Sequence, residues 1–216
     1  MFPSTNPDLL YHIYLMRHGQ SEGNAAGVLQ GQSDYPLSET GKRQARAVGR
    51  RWKDEGMCFD AIIASPLTRA RHTAEIVAET LGSPLVQDDD WMERNNGRLA
   101  GLRPDEIAER YPNAGFVHLY QAVGETGESQ WELYLRAGRA VQALIDRPAG
   151  RYLVVSHGGI LNLAMYAILG IVPHANLNGP RFRFQNTGFA LLEYNPERHT
   201  WLLERINDRQ HWGRSD

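Results

Sequence analysis

The stretch LMRHGQSEGN, residues 15–24, decides which fold and which chemistry this chain is expected to have. Its first two residues end an apolar run, 12–16, that is typical of a short buried strand. Gly19 follows as a turn residue. Glycine also lets the backbone come close to a bound group. Open α/β sheets bind ligands just beyond the carboxyl ends of their strands. We therefore expect Arg17 and His18 to lie where such a protein does its chemistry.

A second predicted strand, 60–64, runs into the segment SPLTRA, residues 65–70. Ser65 fits the N-cap of a following helix, and Pro66 fits its first position. Arg69 then falls in the first turn of that helix. Its side chain is therefore also expected just beyond the carboxyl end of a strand.

A third predicted strand, 152–155, ends at the segment SHGG, residues 156–159. His157 takes the position that follows the strand, as His18 does after the first one. The helix predicted to follow, with Ile160 and Leu161 on its apolar side, would have free N–H groups at its start, and such groups bind anions.

The rest of the chain completes an α/β pattern. We expect a three-layer α/β/α sandwich with a mostly parallel central sheet, in a single domain of residues 1–216 with a helical cap insertion at about 101–148. Residues 1–10 are read as a loose arm. The other predicted elements are a helix capped by Ser38, a short strand at 84–87, cap helices broken near 112–115 and 124–127, and strands at 182–184, 189–194 and 201–205.

The composition is that of an ordinary globular protein. The chain has 216 residues and a formal net charge of -2, which gives no general attraction to nucleic acid or to an anionic membrane. Its single cysteine, Cys58, excludes an intrachain disulfide and indicates a reducing compartment. With no secretory signal and no apolar run of membrane length recognised, we expect a cytoplasmic protein.

The three strand ends would bring Arg17, His18, Arg69 and His157 together if the strands are neighbours in one sheet. Arginine suits phosphate because its planar guanidinium donates two parallel hydrogen bonds. One unit charge pair about 4 Å apart is worth roughly 4 kcal/mol at an effective dielectric near 20. The local charge would therefore outweigh the mild net charge, and the sequence predicts a pocket for a compact anion.

The histidines allow two other interpretations. Either histidine alone could be a hydrogen-bonded structural residue, but matching positions at strand ends beside Arg and Gly favour a shared pocket. A zinc site needs at least three protein ligands, and two arginines in the same pocket would repel the cation. We therefore predict no metal and no cofactor.

The three segments resemble the signatures of the histidine phosphatase superfamily, the phosphoglycerate-mutase-like group. The matching residues occur in the family's order over about 11–195: RHG at 17–19 with Asn24, SPLTRA at 65–70 with Thr73-Ala74, and SHGG at 156–159. One such motif would be weak evidence, whereas all of them in order are specific.

The resemblance implies a role for each site residue. His18 would be the nucleophile that forms a phosphohistidine. Arg17, Arg69 and His157 would hold the phosphoryl oxygens. Asn24, Gln30, Gly31 and Gly158 would be further substrate-binding residues.

Glu93 matches the family's proton donor to the leaving group. Many relatives carry Trp-Glu before the second glycine of this loop, where this chain has Leu99-Ala100. That departure leaves the local loop contacts open, but not the position of Glu93.

Three functions remain open: a phosphatase, a phosphoglycerate-mutase-type phosphoryl transferase, and a non-catalytic phosphoester-binding module. A mutase must hold a second anionic group, yet residues 111–135 contain no Lys or Arg and several aromatic side chains. An uncharged leaving group, and hence a phosphatase, is therefore favoured, with Arg181 and Arg183 expected to face solvent. A binding module would lack the nucleophile or the acid, and both are present. The expected partner is a small phosphate ester, and a homodimer is left open.

Overall fold

The computed structural model describes residues 10–112 and 117–212. The strands are β1 Tyr11–Arg17, β2 Ala61–Ala64, β3 Leu85–Gln87, β4 Arg151–Ser156, β5 Phe189–Asn195 and β6 Thr200–Asp208. The helices are α1 Glu22–Ala25, α2 Glu39–Asp54, α3 Thr68–Leu81, α4 Pro104–Arg110, α5 Gln130–Ile145 and α6 Gly158–Leu169. None of the helices in these two ranges is long and apolar enough to cross a membrane.

The six strands form one sheet in the order β3-β2-β4-β1-β5-β6. The pairs β3-β2, β2-β4 and β4-β1 are parallel, whereas β5 runs antiparallel to both β1 and β6. The carboxyl ends of β1, β2 and β4 therefore lie at the same edge. The α/β fold class is confirmed, and so is the hairpin predicted for the last two strands.

Alternating side chains give the sheet two buried faces. Along β1, Ile13 and Leu15 join one apolar cluster, which α5 and α6 cover. Tyr14 and Met16 alternate with them and join a second cluster, which α2 and α3 cover. Each fully buried side chain of this size contributes about 1.5–3 kcal/mol. This is the three-layer sandwich that the sequence predicted.

Helix α5 lies inside the segment assigned to the cap, 101–148, but it belongs to a layer of the sandwich. Its apolar residues Leu133, Ala137 and Leu144 are buried in the cluster that also holds the side chains of β1 and β4. The part of that segment outside the layers therefore ends before Gln130. The break predicted at 124–127 is confirmed.

The start of α3 differs from the prediction. The helix begins at Thr68 with Leu67 at the N-cap, and Ser65 and Pro66 lie in the preceding turn. The Asp34 side chain accepts from the Thr68 N–H at 2.7 Å and from its hydroxyl at 2.6 Å. A carboxylate from another loop therefore does the capping that the sequence assigned to Ser65. Arg69 still falls in the first turn.

The segment 182–184 is not a strand, so that prediction is wrong. Its backbone bonds with side chains: the Phe182 N–H donates to Asn162 Oδ1 at 2.8 Å, and the Phe184 carbonyl accepts from Arg17 Nη1 at 3.1 Å. The loose arm predicted at 1–10 lies, except for Leu10, outside the described residues. So do residues 113–115 of the other predicted break.

Helix α2 packs closely on the backbone that follows β1. A Cβ at Gly41, in the first turn of α2, would lie 2.0 Å from the carbonyl oxygen of Gln20. No side chain larger than hydrogen fits there without moving one of the two backbones. No local sequence pattern predicts this contact, because it joins two different segments of the chain.

We expect Gly41→Ala to lower the free energy of unfolding by about 2–4 kcal/mol, because the new methyl group overlaps backbone atoms. Gly138→Ala is the matched control, since a Cβ at this position of α5 meets nothing within 4 Å. That variant is expected to gain about 0.5–1 kcal/mol from improved helix propensity. Urea unfolding of both variants measures the two changes in the free energy of unfolding. Similar small effects at the two positions would contradict the close packing.

Candidate active site

The carboxyl edge of the sheet brings two histidines and two arginines together. Arg17 is the last residue of β1, His18 follows it, and His157 follows β4. The two imidazole rings lie 5.0 Å apart between centroids. Both rings are buried, with exposed fractions of 2% for His18 and 0% for His157. The convergence that the strand ends suggested is therefore present in the structure.

The His18 imidazole is neutral and held in one tautomer. Its Nδ1 lies 2.6 Å from the carbonyl oxygen of Gly19, an acceptor, so Nδ1 carries the proton and donates. Burial, and then the positive charges of Arg17 and Arg69, hold the pKa of His18 well below its ordinary value of 6.5. The Nε2 atom therefore keeps its lone pair.

His157 presents one ring nitrogen to the same pocket. Its Nε2 lies 2.8 Å from the hydroxyl of Ser65, and its buried Nδ1 has no partner among the described residues. With the Ser65 hydroxyl donating to Nε2, Nδ1 carries a proton that it can give to a bound oxygen. Burial, followed by the nearby His18, lowers the pKa of His157, so this donor is a neutral N–H.

The two arginines are anchored by backbone carbonyls. Arg69 donates from Nη2 to Gly31 at 2.6 Å and from Nη1 to Ser33 at 2.9 Å. The Nε atoms of Arg17 and Arg69 are buried and have no partner within the described ranges. Burial lowers the pKa of Arg69 to about 10 and also lowers the pKa of Arg17, so both stay cationic near neutral pH. Fixed guanidinium groups with free N–H donors suit a phosphate dianion.

The Glu93 carboxyl group lies at the amino end of α6. Its Oε2 accepts from the Gly159 N–H at 3.0 Å, and its Oε1 accepts from the Ile160 N–H at 3.1 Å. The sequence predicted that N–H groups at this helix start would bind the substrate anion. That expectation is corrected in part, because the protein's own carboxyl group takes two of them. Glu93 is thereby fixed beside the pocket.

Arg136 holds the loop that carries Glu93, and sequence reasoning missed it. Its guanidinium donates to the carbonyl oxygens of Met92 at 2.6 Å and Glu93 at 3.2 Å, and it pairs with Glu128 at 2.7 Å. The side chains of this pair are only 11% and 14% exposed. The nearest signal in the sequence is Glu128, an acidic residue eight positions before Arg136.

Asn24 and Gln30 have different surroundings. The Asn24 Oδ1 accepts from the Ser21 N–H and from Asn186 Nδ2, each at 3.2 Å, which leaves the amide nitrogen to donate to a ligand. The buried Gln30 side chain accepts from the Ser21 hydroxyl at 2.7 Å. Gln30 therefore supports the loop of Asn24 through Ser21, and its contact with the substrate stays a prediction.

Gly31 and Gly158 also have different positions: Gly31 contacts a site residue, and Gly158 borders the pocket itself. The Gly31 carbonyl accepts from Arg69, so Gly31 acts by positioning that guanidinium. Gly158 begins α6, and a Cβ built on it would lie 4.0 Å from the unpartnered Nε of Arg17. Gly158 therefore borders the anion pocket directly.

The turn 186–188 steadies the two residues at the end of β1. Asn186 Nδ2 donates to the His18 carbonyl at 3.0 Å. Arg17 is held on both sides of its backbone. Its carbonyl accepts from the Thr187 N–H at 2.9 Å, and its N–H donates to the Gly188 carbonyl at 3.2 Å. These bonds fix the backbone from which the imidazole and guanidinium project.

A cavity of about 510 Å³ adjoins the pocket above Gly158 and Gly159. Arg94, Arg181 and Arg183 line it, and the last two are exposed to solvent, as the sequence predicted. Its aromatic lining is Tyr166 and Phe182, with none from the described residues of the aromatic segment 111–135. Phe116 of that segment lies outside the described residues.

Comparison with known proteins agrees with this arrangement. The family model "Histidine phosphatase superfamily (branch 1)" matches residues 13–209. The chain belongs to the histidine phosphatase superfamily. Its segments that resembled the family's motifs are the ones that converge at the carboxyl edge of the sheet. Within the part of the chain that the structure describes, no group of three or more His, Cys, Asp or Glu side chains is arranged to hold a metal ion.

Members of this superfamily that resemble the chain carry both mutase and phosphatase names. The "Probable phosphoglycerate mutase GpmB" of Photorhabdus laumondii is 35% identical over 209 residues, covering 94% of this chain and 95% of the relative. The structure of Bacillus stearothermophilus YhfR has a TM-score of 0.79 and 31% identity, covering 93% of this chain and 98% of that one. A mycobacterial glucosyl-3-phosphoglycerate phosphatase has a TM-score of 0.74 and 26% identity, covering 91% and 99%.

Proposed function

We propose that this member of the superfamily is a phosphatase that hydrolyses a small phosphate monoester through a phosphohistidine on His18. The observation that carries the proposal is the state of the His18 ring. Its Nδ1 proton is engaged by the Gly19 carbonyl, and its Nε2 lone pair remains beside two fixed cations. A neutral imidazole with a free lone pair is a nucleophile, and phosphate is the anion that the cations suit.

In the first step, His18 Nε2 attacks phosphorus and the bond from phosphorus to the leaving oxygen breaks. Arg17, Arg69 and the Nδ1–H of His157 hold the equatorial oxygens, and Asn24 adds a further donor. Protonated Glu93 gives its proton to the leaving oxygen, so that an alcohol departs. Among the described residues, Glu93 Oε2 accepts a single backbone N–H bond, from Gly159, which leaves room for that proton.

In the second step, the Glu93 carboxylate takes a proton from water while the water oxygen attacks phosphorus. The bond from phosphorus to His18 Nε2 breaks, inorganic phosphate leaves, and both residues return to their starting states. Dividing the reaction helps because phosphate monoesters hydrolyse extremely slowly in water. Arginine cations supply the charge that other phosphatases obtain from metal ions, so we propose that the reaction needs no metal or other cofactor.

Phosphoglycerate-mutase-type transfer is the second candidate. Two observations favour it: relatives about one-third identical are named as probable mutases, and the cavity beside the pocket is lined by arginines that could hold a second anion. A mutase would return the phosphoryl group to an organic acceptor, whereas a phosphatase gives it to water.

A panel of alkyl and aryl phosphate monoesters, assayed for phosphate release, tests the proposal, with a parallel assay for the interconversion of 3-phosphoglycerate and 2-phosphoglycerate. We expect phosphate release that excess chelator leaves unchanged. Isomerisation without phosphate release would support the mutase. Binding of the esters without turnover would support a binding module. If chelator abolished phosphate release and a divalent ion restored it, the metal-independent mechanism would be contradicted.

A further inference from the structure

The cavity above Gly158 and Gly159 carries positive charge that the phosphoryl pocket does not use. Three guanidinium groups line it, those of Arg94, Arg181 and Arg183, and no Asp or Glu is among the described residues of its lining. Like charges gathered in one cavity repel each other, so an anion placed among them relieves a repulsion as well as gaining an attraction.

Arg181 and Arg183 are directed into the cavity by the residue between them. The Phe182 backbone is bonded on both sides to the Asn162 side chain of α6, N–H to Oδ1 at 2.8 Å and carbonyl to Nδ2 at 2.9 Å. The Phe182 ring packs against the core. The flanking arginines are exposed, and neither has a hydrogen bond or ion pair within residues 10–112 and 117–212.

Arg94 supplies a fixed cation on another wall of the cavity. Its Nη2 donates to Gln130 Oε1 at 2.5 Å, while its buried Nε has no partner among the described residues. Burial lowers the pKa of Arg94, which reflects how far this charge is removed from water. A buried guanidinium with an unused N–H is better satisfied when an anion binds.

The cavity opens where the leaving group would depart. Gly158 borders Arg17, and Gly159 donates to the carboxyl group of Glu93, the proton donor proposed for the leaving oxygen. Both glycines line the cavity. An alcohol that leaves beside Glu93 therefore extends from the phosphoryl pocket into a space lined by arginine.

We propose that the leaving alcohol of the substrate carries a second anionic group, which Arg181 and Arg183 bind together with Arg94. This proposal rests on the proposed phosphatase function and adds a substrate class to it. It replaces the uncharged leaving group that the composition of residues 111–135 suggested. The shared chemistry is an oxyanion, either a carboxylate or a second phosphate.

Three esters of one chain length test the proposal: 3-(phosphonooxy)propanoate, its carboxamide, and propane-1,3-diyl bisphosphate. The carboxamide matches the carboxylate in size and lacks only the charge. We expect kcat/KM for the carboxylate ester to exceed that of the amide by about tenfold or more, mainly through KM, since charged hydrogen bonds are lost in the amide. The ratio of kcat/KM for the bisphosphate to kcat/KM for the carboxylate ester shows which oxyanion the cavity prefers.

The variant Arg181→Gln/Arg183→Gln is expected to bring the carboxylate-to-amide ratio of kcat/KM close to one. Both side chains are exposed, so the fold should tolerate the change. Arg46→Gln is the matched control, because Arg46 is an exposed arginine on α2, which covers the opposite face of the sheet from α6. It should leave the ratio unchanged.

Hydrolysis of all three esters at similar rates would overturn the anionic subsite and leave the phosphatase standing. If the wild-type protein hydrolyses none of them, calorimetry with the same esters separates the two proposals. Tighter binding of the carboxylate than of the amide, lost in the double variant, would keep the subsite and overturn the phosphatase. Equal binding would overturn both.

Discussion

His18→Ala is expected to lower kcat for phosphate monoesters by about 10⁴-fold or more, because the substitution removes the attacking atom and with it the covalent intermediate. The cations that hold the phosphoryl group remain, so binding of inorganic phosphate should persist within about tenfold. Steady-state kinetics and calorimetry measure the two quantities on one protein. Loss of turnover with binding retained is the result expected of a nucleophile.

His12→Ala is the matched control for this change. His12 lies on the same strand as Arg17 but at its opposite end, where its Nδ1 is 4.0 Å from Glu193 and its side chain is 38% exposed. Its replacement should change kcat by less than about twofold. Activity of His18→Ala within a few-fold of the wild type would remove His18 from the nucleophile role.

Glu93→Gln is expected to separate substrates by their leaving groups. An alkyl leaving group needs a proton, so kcat for an alkyl phosphate should fall by about 10²–10⁴-fold. A 4-nitrophenolate leaves without a proton, so formation of the phosphoenzyme from 4-nitrophenyl phosphate should fall far less. Glutamine keeps one of the two oxygens that accept from N–H groups at the start of α6, and its amide nitrogen faces the other N–H. The difference between the two leaving groups, and not the absolute loss, therefore reports proton donation.

Asp89→Asn is the control for Glu93→Gln, since Asp89 is an exposed acid in the segment that leads to Glu93. Asp89→Asn should leave the rates with the alkyl and the nitrophenyl substrate unchanged. The rate constant of the burst with the nitrophenyl ester measures phosphoenzyme formation separately from the slower steady-state hydrolysis. Equal losses of that step with both leaving groups would indicate that Glu93 only supports the structure.

Much of the fold could be predicted because short apolar runs and glycine turns mark buried strands locally. The strand that includes Leu15 and the strand that includes Val154 were placed correctly, and the rule for parallel sheets then brought His18 and His157 to one edge. No contact had to be known for that step. Periodicity and the position of strand ends were sufficient.

The errors concern residues whose roles depend on partners distant in the chain. Ser65 has the chemistry of an N-cap, but its hydroxyl contacts His157, and Asp34 caps the helix in its place. Arg136 could not be distinguished from any exposed arginine on a helix until its contacts with the Glu93 loop were known. Local sequence carries the propensity of a residue and not its partner.

The expectation of an uncharged leaving group was also based on one local segment of the chain. The sequence indicated that residues 111–135 carry no positive charge, which is correct. The cavity, however, is lined by Arg94 and by the pair Arg181 and Arg183, which lie outside that segment. Charge counted along a segment does not predict charge around a cavity when the walls come from different elements.

The central claim, that the free Nε2 of His18 attacks phosphorus, is tested most directly by trapping the intermediate. Wild-type protein mixed with 4-nitrophenyl phosphate is quenched within the burst phase, digested under alkaline conditions that preserve phosphohistidine, and analysed by tandem mass spectrometry. The account predicts one phosphoryl group on the peptide that contains His18, attached at Nε2. A phosphoryl group on another residue, or none during a resolved burst, would contradict it.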